Sequence, residues 1–264
     1  MTILKELQIM EQRTNICKVV LLAALGVWLA LGVGCSRDER PLVVYVGKGL
    51  DFPMEEVKQV FEKQHQENPL TIIYGGSETL LSTIQKTRKG DLFIPGSAGY
   101  ISSAGDLVKE DRYVADHLPV FAVRADNPKN LQTFSDLLAD GVKLAVGNKD
   151  MCAIGQVAEA IINASDRQAA FRDNIVITGT TVNELIKLVA DGEVDAALVW
   201  ADMLQWPEGK GLRRVEIPSA INTVEEIRIA VMTTSASPQS AALFANFLVT
   251  EGQAIFARHG FGVK

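Results

Sequence analysis

Five turns of this sequence follow segments of strand length, and three of them are rich in glycine and small hydroxyl residues. The five are Gly47–Leu50, Gly75–Thr79, Pro95–Ala98, Gly147–Gly155 and Trp200–Met203. Glycine lets a backbone approach a ligand closely, and a serine hydroxyl adds an adaptable hydrogen-bond donor. Neutral donors at helix starts suit a small anion, because helix dipoles stabilise negative charge there. Any one turn is better explained by tight-turn geometry, whereas several at equivalent places in two lobes favour a binding site.

Side chains for acid–base, nucleophilic or metal chemistry form no convincing group. The three histidines, His65, His117 and His259, lack metal-ligand spacing, and we predict that they lie on the surface. No G-x-S-x-G elbow is present, and Gly47-Lys48-Gly49 is too short for a phosphate-binding loop. The sequence therefore predicts a protein that is not an enzyme and that has no cofactor and no metal site.

An uncharged apolar run near the start of the chain predicts export. Val19–Val33 is preceded by Arg13 and Lys18, which supply the positive flank of a signal peptide. The run is shorter than the roughly 20 residues that a membrane-spanning helix needs. Translation starting at Met10 would shorten the leader without changing this pattern.

The residues after the apolar run, Gly32-Val33-Gly34-Cys35, resemble the lipobox of bacterial lipoproteins. Gly32 stands where that motif usually has leucine. The resemblance implies that residues 1–34 are a lipoprotein signal peptide, that Cys35 is lipidated, and that residues 35–41 are a tether. Cleavage without lipidation and an uncleaved anchor helix are the alternatives.

Charge and cysteine content narrow the functional class of the exported chain. The whole chain carries a net charge of −6, and the leader contributes three basic and two acidic residues, so the exported chain carries −6 − 1 = −7. An acidic surface argues against nucleic acid, whose phosphates bind Lys and Arg. With Cys17 in the leader and Cys35 at its end, Cys152 has no disulfide partner. It is either a small buried residue or a soft contact to a ligand or metal.

Strand and helix patterns alternate along the exported chain, which predicts an α/β fold. The predicted strands are 42–46, 70–74, 91–94, 120–124, 143–146, 175–178, 196–200 and 226–233. The predicted helices include 51–61, 79–87, 100–109, 154–164, 181–190, 238–248 and 251–259. The pattern divides into two similar lobes, 42–120 together with 230–264, and 121–229. The last strand and the terminal helices are expected to return to the first lobe.

Five segments together resemble the periplasmic molybdate-binding proteins of ABC transporters. They are Leu42–Leu50, Y-G-G-S-E-T-L from Tyr74, G-D-L-F-I from Gly90, the run from Val182 that ends in D-A-A-L-V-W, and G-Q-A-I-F-A-R-H-G-F from Gly252. The resemblance spans nearly the whole exported chain. It implies a two-lobed periplasmic-binding-protein-like fold of type II, with mixed sheets flanked by helices and the solute in the cleft.

The resemblance also implies which residues touch the solute. Ser77 matches a hydroxyl donor of the family, and Gly96 matches a backbone N–H donor. Gly49 stands where the family has a first-turn serine, Cys152 begins a turn that is V-P-A-G in the family, and Trp200 stands where the family has tyrosine. We therefore predict Gly49, Ser77, Gly96, Cys152 and Trp200 as ligand-binding residues, with Lys48 as a possible added charge.

The predicted function is that of an extracytoplasmic, membrane-anchored solute-binding lipoprotein, which acts as a monomer. It captures a small oxyanion, molybdate or tungstate first, and delivers it to an ABC permease with its ATPase. Closure is predicted around hinges near Val120–Arg124 and Glu226–Ala230. The alternatives are another solute on the same fold, such as an organic anion or another ion, and an exported sensor or enzyme domain that would have to use Lys48, Asp150 and Asp202.

Overall fold

The computed structural model describes residues 40–264, which form one compact unit. The predicted leader, Cys35 and the first part of the tether lie outside the described residues. Within the described part of the chain, no helix is long and apolar enough to cross a membrane.

The first sheet has five strands in the order β2-β1-β3-β10-β4. Their bounds are β1 Leu42–Gly47, β2 Leu70–Gly75, β3 Leu92–Ile94, β4 Val108–His117 and β10 Glu225–Met232. β1 is parallel to both of its neighbours, and β10 is antiparallel to β3 and β4. The sheet is therefore mixed, and the last strand of the chain returns to the first sheet as predicted.

The second sheet has the same size and the order β7-β6-β8-β5-β9. Its strands are β5 Pro119–Arg124, β6 Leu144–Gly147, β7 Ile175–Gly179, β8 Ala196–Trp200 and β9 Leu212–Val215. β6 is parallel to β7 and β8, whereas β5 is antiparallel to β8 and β9. In both sheets the central strands are almost fully buried, since helices cover them.

Nine α-helices of the described chain flank the two sheets. They are α1 Asp51–Gln64, α2 Ser77–Thr87, α3 Gly99–Ala104, α4 Phe134–Leu137, α5 Ala153–Ala164, α6 Gln168–Asn174, α7 Val182–Ala190, α8 Pro238–Phe247 and α9 Gln253–Arg258. Short 3-10 turns occupy Lys48–Leu50, Gly105–Leu107, Ala201–Gln205 and Pro207–Gly209, and a π-turn joins α8 to α9 at Leu248–Gly252. The fold is the two-lobed type II arrangement, with mixed sheets flanked by helices.

The chain passes between the sheets at Leu118 and again between β9 and β10. Val120 already pairs with Val199 in the second sheet, and Glu225 pairs with His117 in the first. Both changes of sheet therefore come a few residues before the lobe boundaries predicted near residues 120 and 230. The residues predicted as hinges lie inside strands β5 and β10.

The predicted helix over 100–109 was too long. α3 ends at Ala104, where Gly105 adopts φ 54°, and β4 begins at Val108. β4 lies at the edge of its sheet, and its sequence V-K-E-D-R-Y-V-A-D-H is rich in charge. An edge strand with solvated side chains lacks the apolar alternation that identifies a strand in sequence. The short edge strand β9 was missed for the same reason.

Candidate functional site

A small cleft lies where the C-terminal ends of parallel strands from both sheets meet. Its empty volume is about 290 Å³, including space that is open to solvent. All five predicted ligand-binding residues line it. The complete lining is Gly47, Lys48, Gly49, Gly75, Gly76, Ser77, Gly96, Cys152, Ala153, Ile154, Thr181, Val182 and Trp200.

The two sides of the cleft approach each other closely at its mouth. A Cβ atom added to Gly76 would lie 2.3 Å from the carbonyl oxygen of Met151 and 3.1 Å from that of Thr180. Only glycine permits this approach, because any side chain at residue 76 would overlap the backbone of the opposite lobe. The described conformation is therefore one in which the lobes are closed on each other.

Three helices begin at the cleft and point their positive ends into it. α2 begins at Ser77, α5 at Ala153 and α7 at Val182. Within the described chain, the N–H groups of Ala153 and Ile154 have no hydrogen-bond acceptor. Free N–H groups and aligned dipoles at a helix start attract an anion without an ion pair. Three such starts around one cleft give it a positive potential with little formal charge.

Local sequence explains why α7 starts where it does. The Thr181 side chain accepts a hydrogen bond from the N–H of Glu184, and the Glu184 carboxylate accepts from the N–H of Thr180 at 2.7 Å. The Glu184 carboxylate also accepts from the Thr180 hydroxyl, and this bond is the main reason why the pKa of Glu184 is lowered. The buried residues Val182, Leu185, Ile186 and Val189 lie on one face of the helix and hold it against the sheet.

Ser77 is the best-placed side-chain donor in the cleft. Its side chain is buried, with 2% of the residue exposed, and its Oγ accepts a hydrogen bond from the N–H of Gly96 at 3.1 Å. Within the described chain, no acceptor is paired with the Ser77 hydroxyl hydrogen, so the hydroxyl is free to donate to a solute. The N–H of Gly96, which was predicted as a direct solute contact, donates to Ser77 and helps to orient it, and its contact with a solute stays a prediction.

Cys152 lines the cleft, but its backbone N–H is already used. That N–H donates to the carbonyl of Asn148 at 3.1 Å, so the free backbone donors of this turn are those of Ala153 and Ile154. The thiol lies 3.5 Å from the Asn148 oxygen, and burial raises its pKa to about 11. The thiol is therefore protonated at neutral pH. Among residues 40–264, no group of three or more His, Cys, Asp or Glu side chains is arranged to hold a metal ion.

Gly49 and Trp200 lie against each other across the cleft. A Cβ atom added to Gly49 would lie 2.9 Å from Cγ1 of Val182 and 3.3 Å from Cδ1 of Trp200. The indole nitrogen would be 3.5 Å from the same position. Within the described chain this nitrogen has no hydrogen-bond acceptor, so the indole N–H is a free donor in the cleft. The indole of Trp200 thus occupies space that is available only because residue 49 has no side chain.

Lys48 contributes less charge to the cleft than its position suggests. Its Nζ lies 2.7 Å from Oδ2 of Asp51 and 5.3 Å from the centre of the Tyr74 ring. The same Asp51 oxygen accepts a hydrogen bond of 3.4 Å from Asn183, which lies on the other lobe. The lysine charge is therefore compensated at the edge of the cleft, and Asp51 also connects the lobes.

His117 is not on the surface, so the prediction for this histidine was wrong. Its side chain has 0% exposure, and its ring stacks on Trp200 with centroids 3.8 Å apart. Nε2 lies 3.2 Å from Oδ1 of buried Asp202. Burial raises the pKa of Asp202, and the neighbouring His117 acts in the opposite direction. Local sequence does not predict this pair, because its two members lie in different lobes and far apart in sequence.

The other two histidines do not line the cleft and are only partly exposed. The His259 Nε2 lies 2.8 Å from a carboxylate oxygen of Glu56, and together with Arg258 it lowers the pKa of that carboxylate. The His65 ring lies 4.8 Å from that of Phe61, centroid to centroid. Both side chains join α1 to the C-terminal region of the chain.

The family model described as bacterial extracellular solute-binding protein matches residues 42–262. A Haemophilus influenzae protein described as a binding protein is 32% identical over 231 residues, covering 86% of this chain and 92% of its own. The molybdate-binding protein ModA of Mycobacterium tuberculosis is 24% identical over 233 residues, covering 86% of this chain and 87% of its own.

Solved structures share the fold at low sequence identity. The periplasmic molybdate-binding protein of Azotobacter vinelandii has a TM-score of 0.71 at 17% identity, covering 84% of this chain and 99% of its own. The sulfate-binding protein SubI of Mycobacterium tuberculosis has a TM-score of 0.72 at 20% identity, with 84% and 86% covered. The described chain thus has the architecture of both a molybdate-binding and a sulfate-binding protein.

Proposed function

Since the chain belongs to the bacterial extracellular solute-binding protein family, whose members serve ABC transporters, we propose that its solute is a small tetrahedral oxyanion, with molybdate or tungstate first. The protein acts as a binding protein and not as an enzyme. It delivers the oxyanion to an ABC permease that is driven by its ATPase.

The observation that carries this proposal is the convergence of three helix starts on one small cleft. Ser77, Ala153 and Val182 begin these helices, and all three line the cleft. The only charged residue of the lining within the described chain, Lys48, is paired with Asp51. A site built from neutral donors and helix dipoles stabilises an anion while leaving it free to dissociate into a transporter.

The donors come from both lobes, which supports capture by closure. Ser77 belongs to the first sheet's side of the cleft, whereas Ala153, Ile154 and the Trp200 indole belong to the second. A tetrahedral anion between them would satisfy donors of both lobes at once and so favour the closed form. We place the bending at the two crossings, Leu118 and the segment between β9 and β10.

The lipid anchor is also part of the proposal. Cys35 would carry the lipid, and the described chain begins only five residues later at Arg40. Arg40 forms a 2.8 Å ion pair with buried Asp91, which also accepts from the N–H of Val43 at 2.9 Å. The end of the tether is therefore attached to the first sheet. Mass spectrometry of the chain purified from bacterial membranes tests the anchor, since an unmodified Cys35 would contradict it.

Titration calorimetry of the full chain in detergent tests the solute. Molybdate, tungstate, sulfate and phosphate are titrated separately at constant ionic strength. We expect one-to-one binding of molybdate and tungstate, with sulfate and phosphate weaker. The absence of binding by all four anions would contradict the oxyanion proposal and leave the fold and family unaffected.

A second candidate, an organic anion, is favoured by the apolar side chains in the cleft. Ile154, Val182 and Trp200 all line it, and an inorganic anion makes no use of such surface. Native mass spectrometry of protein purified without added ligand separates the candidates. A bound organic acid would support the second, and a bound metal oxyanion would support the first.

A further inference from the structure

His117 occupies the point where the chain passes from one lobe to the other. It is the last residue of β4, and only Leu118 separates it from β5 in the second sheet. Its ring is completely buried, in contact with Trp200 on one side and 5.2 Å from the Phe261 ring, centroid to centroid. His117 is not among the described residues that line the solute cleft, so the proposed function assigns it no role.

One ring nitrogen of His117 holds the first lobe's side of the cleft. Nδ1 lies 3.2 Å from the carbonyl oxygen of Gly96. A carbonyl oxygen can only accept, so Nδ1 carries the hydrogen and donates it. On its other side, the N–H of Gly96 donates to Oγ of Ser77. Gly96 is thus held at both its carbonyl and its N–H, and the second of these bonds directs the Ser77 hydroxyl.

The same ring also holds the second lobe's side of the cleft. The ring plane lies 17° from that of the Trp200 indole, at a centroid distance of 3.8 Å. The stacking fixes the plane of the indole and therefore the direction of its free N–H. Asp202 follows two residues later, and its Oδ1 lies 3.2 Å from Nε2 of His117.

The contact between His117 and Asp202 keeps the ring in one orientation. Both side chains are almost fully buried, with 0% and 2% exposure. Oδ1 of Asp202 is the polar neighbour of Nε2 in the described chain, and their 3.2 Å approach is a close polar contact without hydrogen-bond geometry. This contact, the Nδ1 bond to Gly96 and the stacking on Trp200 together hold the ring in one orientation.

We propose that His117, oriented by Asp202, is a positioning residue of the solute site, which sets the Ser77 hydroxyl through Gly96 and the Trp200 indole by stacking. The inference rests on the proposed function, because it assigns a role to a residue behind that same cleft. Loss of His117 should therefore alter both sets of donors together, although the residue does not touch the solute.

The first experiment compares His117→Phe with wild type in molybdate calorimetry on the full chain. Phenylalanine retains the stacking on Trp200 but removes both polar contacts. We expect about tenfold weaker binding, equivalent to ~1.4 kcal/mol. The matched control is His65→Phe, which changes a histidine that lies against Phe61 and does not line the cleft, and it should bind like wild type. Binding by His117→Phe within twofold of wild type would overturn the proposal.

The second experiment separates a positioning role from a general loss of packing. An asparagine amide at residue 117 can replace Nδ1 and donate to Gly96, whereas a glutamine amide replaces Nε2 and contacts Asp202. We expect His117→Asn to bind molybdate more tightly than His117→Gln. Equal affinity of these two variants would overturn the relay through Gly96, and this comparison remains informative if His117→Phe does not fold.

A third measurement needs no solute and so remains decisive if wild type binds none of the four anions. Amide hydrogen exchange of Gly96, followed by NMR, reports the bond from its N–H to Ser77. We expect faster exchange in His117→Gln and His117→Phe, with wild-type protection in His117→Asn and His65→Phe. Unchanged protection in all variants would refute the positioning role, while failure of anion binding alone would refute only the proposed function.

Discussion

The indole of Trp200 occupies the space that a side chain at residue 49 would require. A Cβ atom at Gly49 would lie 3.3 Å from Cδ1 of Trp200 and 2.9 Å from Cγ1 of Val182. Contacts this short force neighbouring side chains to move. The glycine and the tryptophan are therefore mutually dependent features of the cleft.

Gly49→Ser should destabilise the protein and weaken anion binding. The added side chain overpacks the cleft, which typically costs 1–3 kcal/mol in a well-packed site (about 2 kcal/mol here). Trp200→Tyr in the same chain should restore part of the loss, because the smaller ring vacates space. Urea unfolding and molybdate calorimetry measure both effects. Gly99→Ser is the matched control, since its Cβ would meet only Oγ of Ser97, at 3.7 Å. A double variant no better than Gly49→Ser would contradict the coupling.

Ser77→Ala should lose solute affinity and stability together. The substitution removes the free hydroxyl and also leaves the buried N–H of Gly96 without its acceptor. An unsatisfied buried donor costs about 1–3 kcal/mol of unfolding free energy. Calorimetry and urea unfolding measure the two losses, and Ser102→Ala, on an exposed face of α3, serves as control. Wild-type affinity in Ser77→Ala would remove Ser77 from the site.

Substitution of Lys48 and substitution of Asp51 should change the anion affinity by different amounts. Lys48→Ala should change molybdate affinity by less than about twofold, because Asp51 already compensates the lysine charge. Asp51→Asn should tighten binding and make it more sensitive to salt, since the lysine charge is then uncompensated near the anion. Calorimetry at two ionic strengths distinguishes these results. A loss of affinity well above twofold in Lys48→Ala would show that Lys48 contacts the solute directly.

Asp202→Asn should change how stability depends on pH. Burial raises the pKa of Asp202 above its ordinary value of 3.8, so the folded state binds that proton more tightly than the unfolded state. This contribution to stability is present at acid pH and is lost as pH rises through the folded-state pKa. The stability of Asp202→Asn relative to wild type should therefore increase from acid to neutral pH. Urea unfolding at several pH values measures the difference, with exposed Asp150→Asn as control. A pH-independent difference for Asp202→Asn would contradict the assignment.

Cys152 should react slowly with alkylating reagents in the folded protein. The thiolate is the reactive form, and burial raises the pKa of this thiol to about 11. Peptide mass spectrometry after iodoacetamide treatment should show little labelling at pH 7 and much more at pH 9. The same peptide in urea provides the reference for full reactivity. Equal labelling rates at pH 7 with and without urea would contradict a buried thiol.

Much of the fold could be predicted from local sequence. The strands ending at Gly47 and Trp200 are buried apolar runs, the strand ending at Gly75 is a partly exposed apolar run, and α7 has an apolar face and a threonine cap. Strand β4 escaped prediction because its residues are charged and its stability comes from pairing with β10, more than a hundred residues later. Local propensity cannot report a partner that distant.

The candidate site was predictable to a similar extent. Gly49, Ser77, Gly96, Cys152 and Trp200 all line one cleft. Turns at the carboxyl ends of parallel strands meet at the same edge of a sheet, so their glycine and serine content was informative before the fold was known. Their roles as solute contacts remain predictions.

The sequence by itself determined the alternation of strands and helices and the turns, rich in glycine and small hydroxyl residues, that form the cleft. These features depend on local propensity and on the geometry of parallel sheets. Only the tertiary structure decided that Gly96 donates to Ser77, that Asp51 compensates Lys48, and that His117 is buried between Trp200 and Asp202. The last contact joins segments from different lobes, and its burial depends on how the lobes pack. The sequence around His117, at the end of a charged edge strand, does not indicate that this histidine is buried.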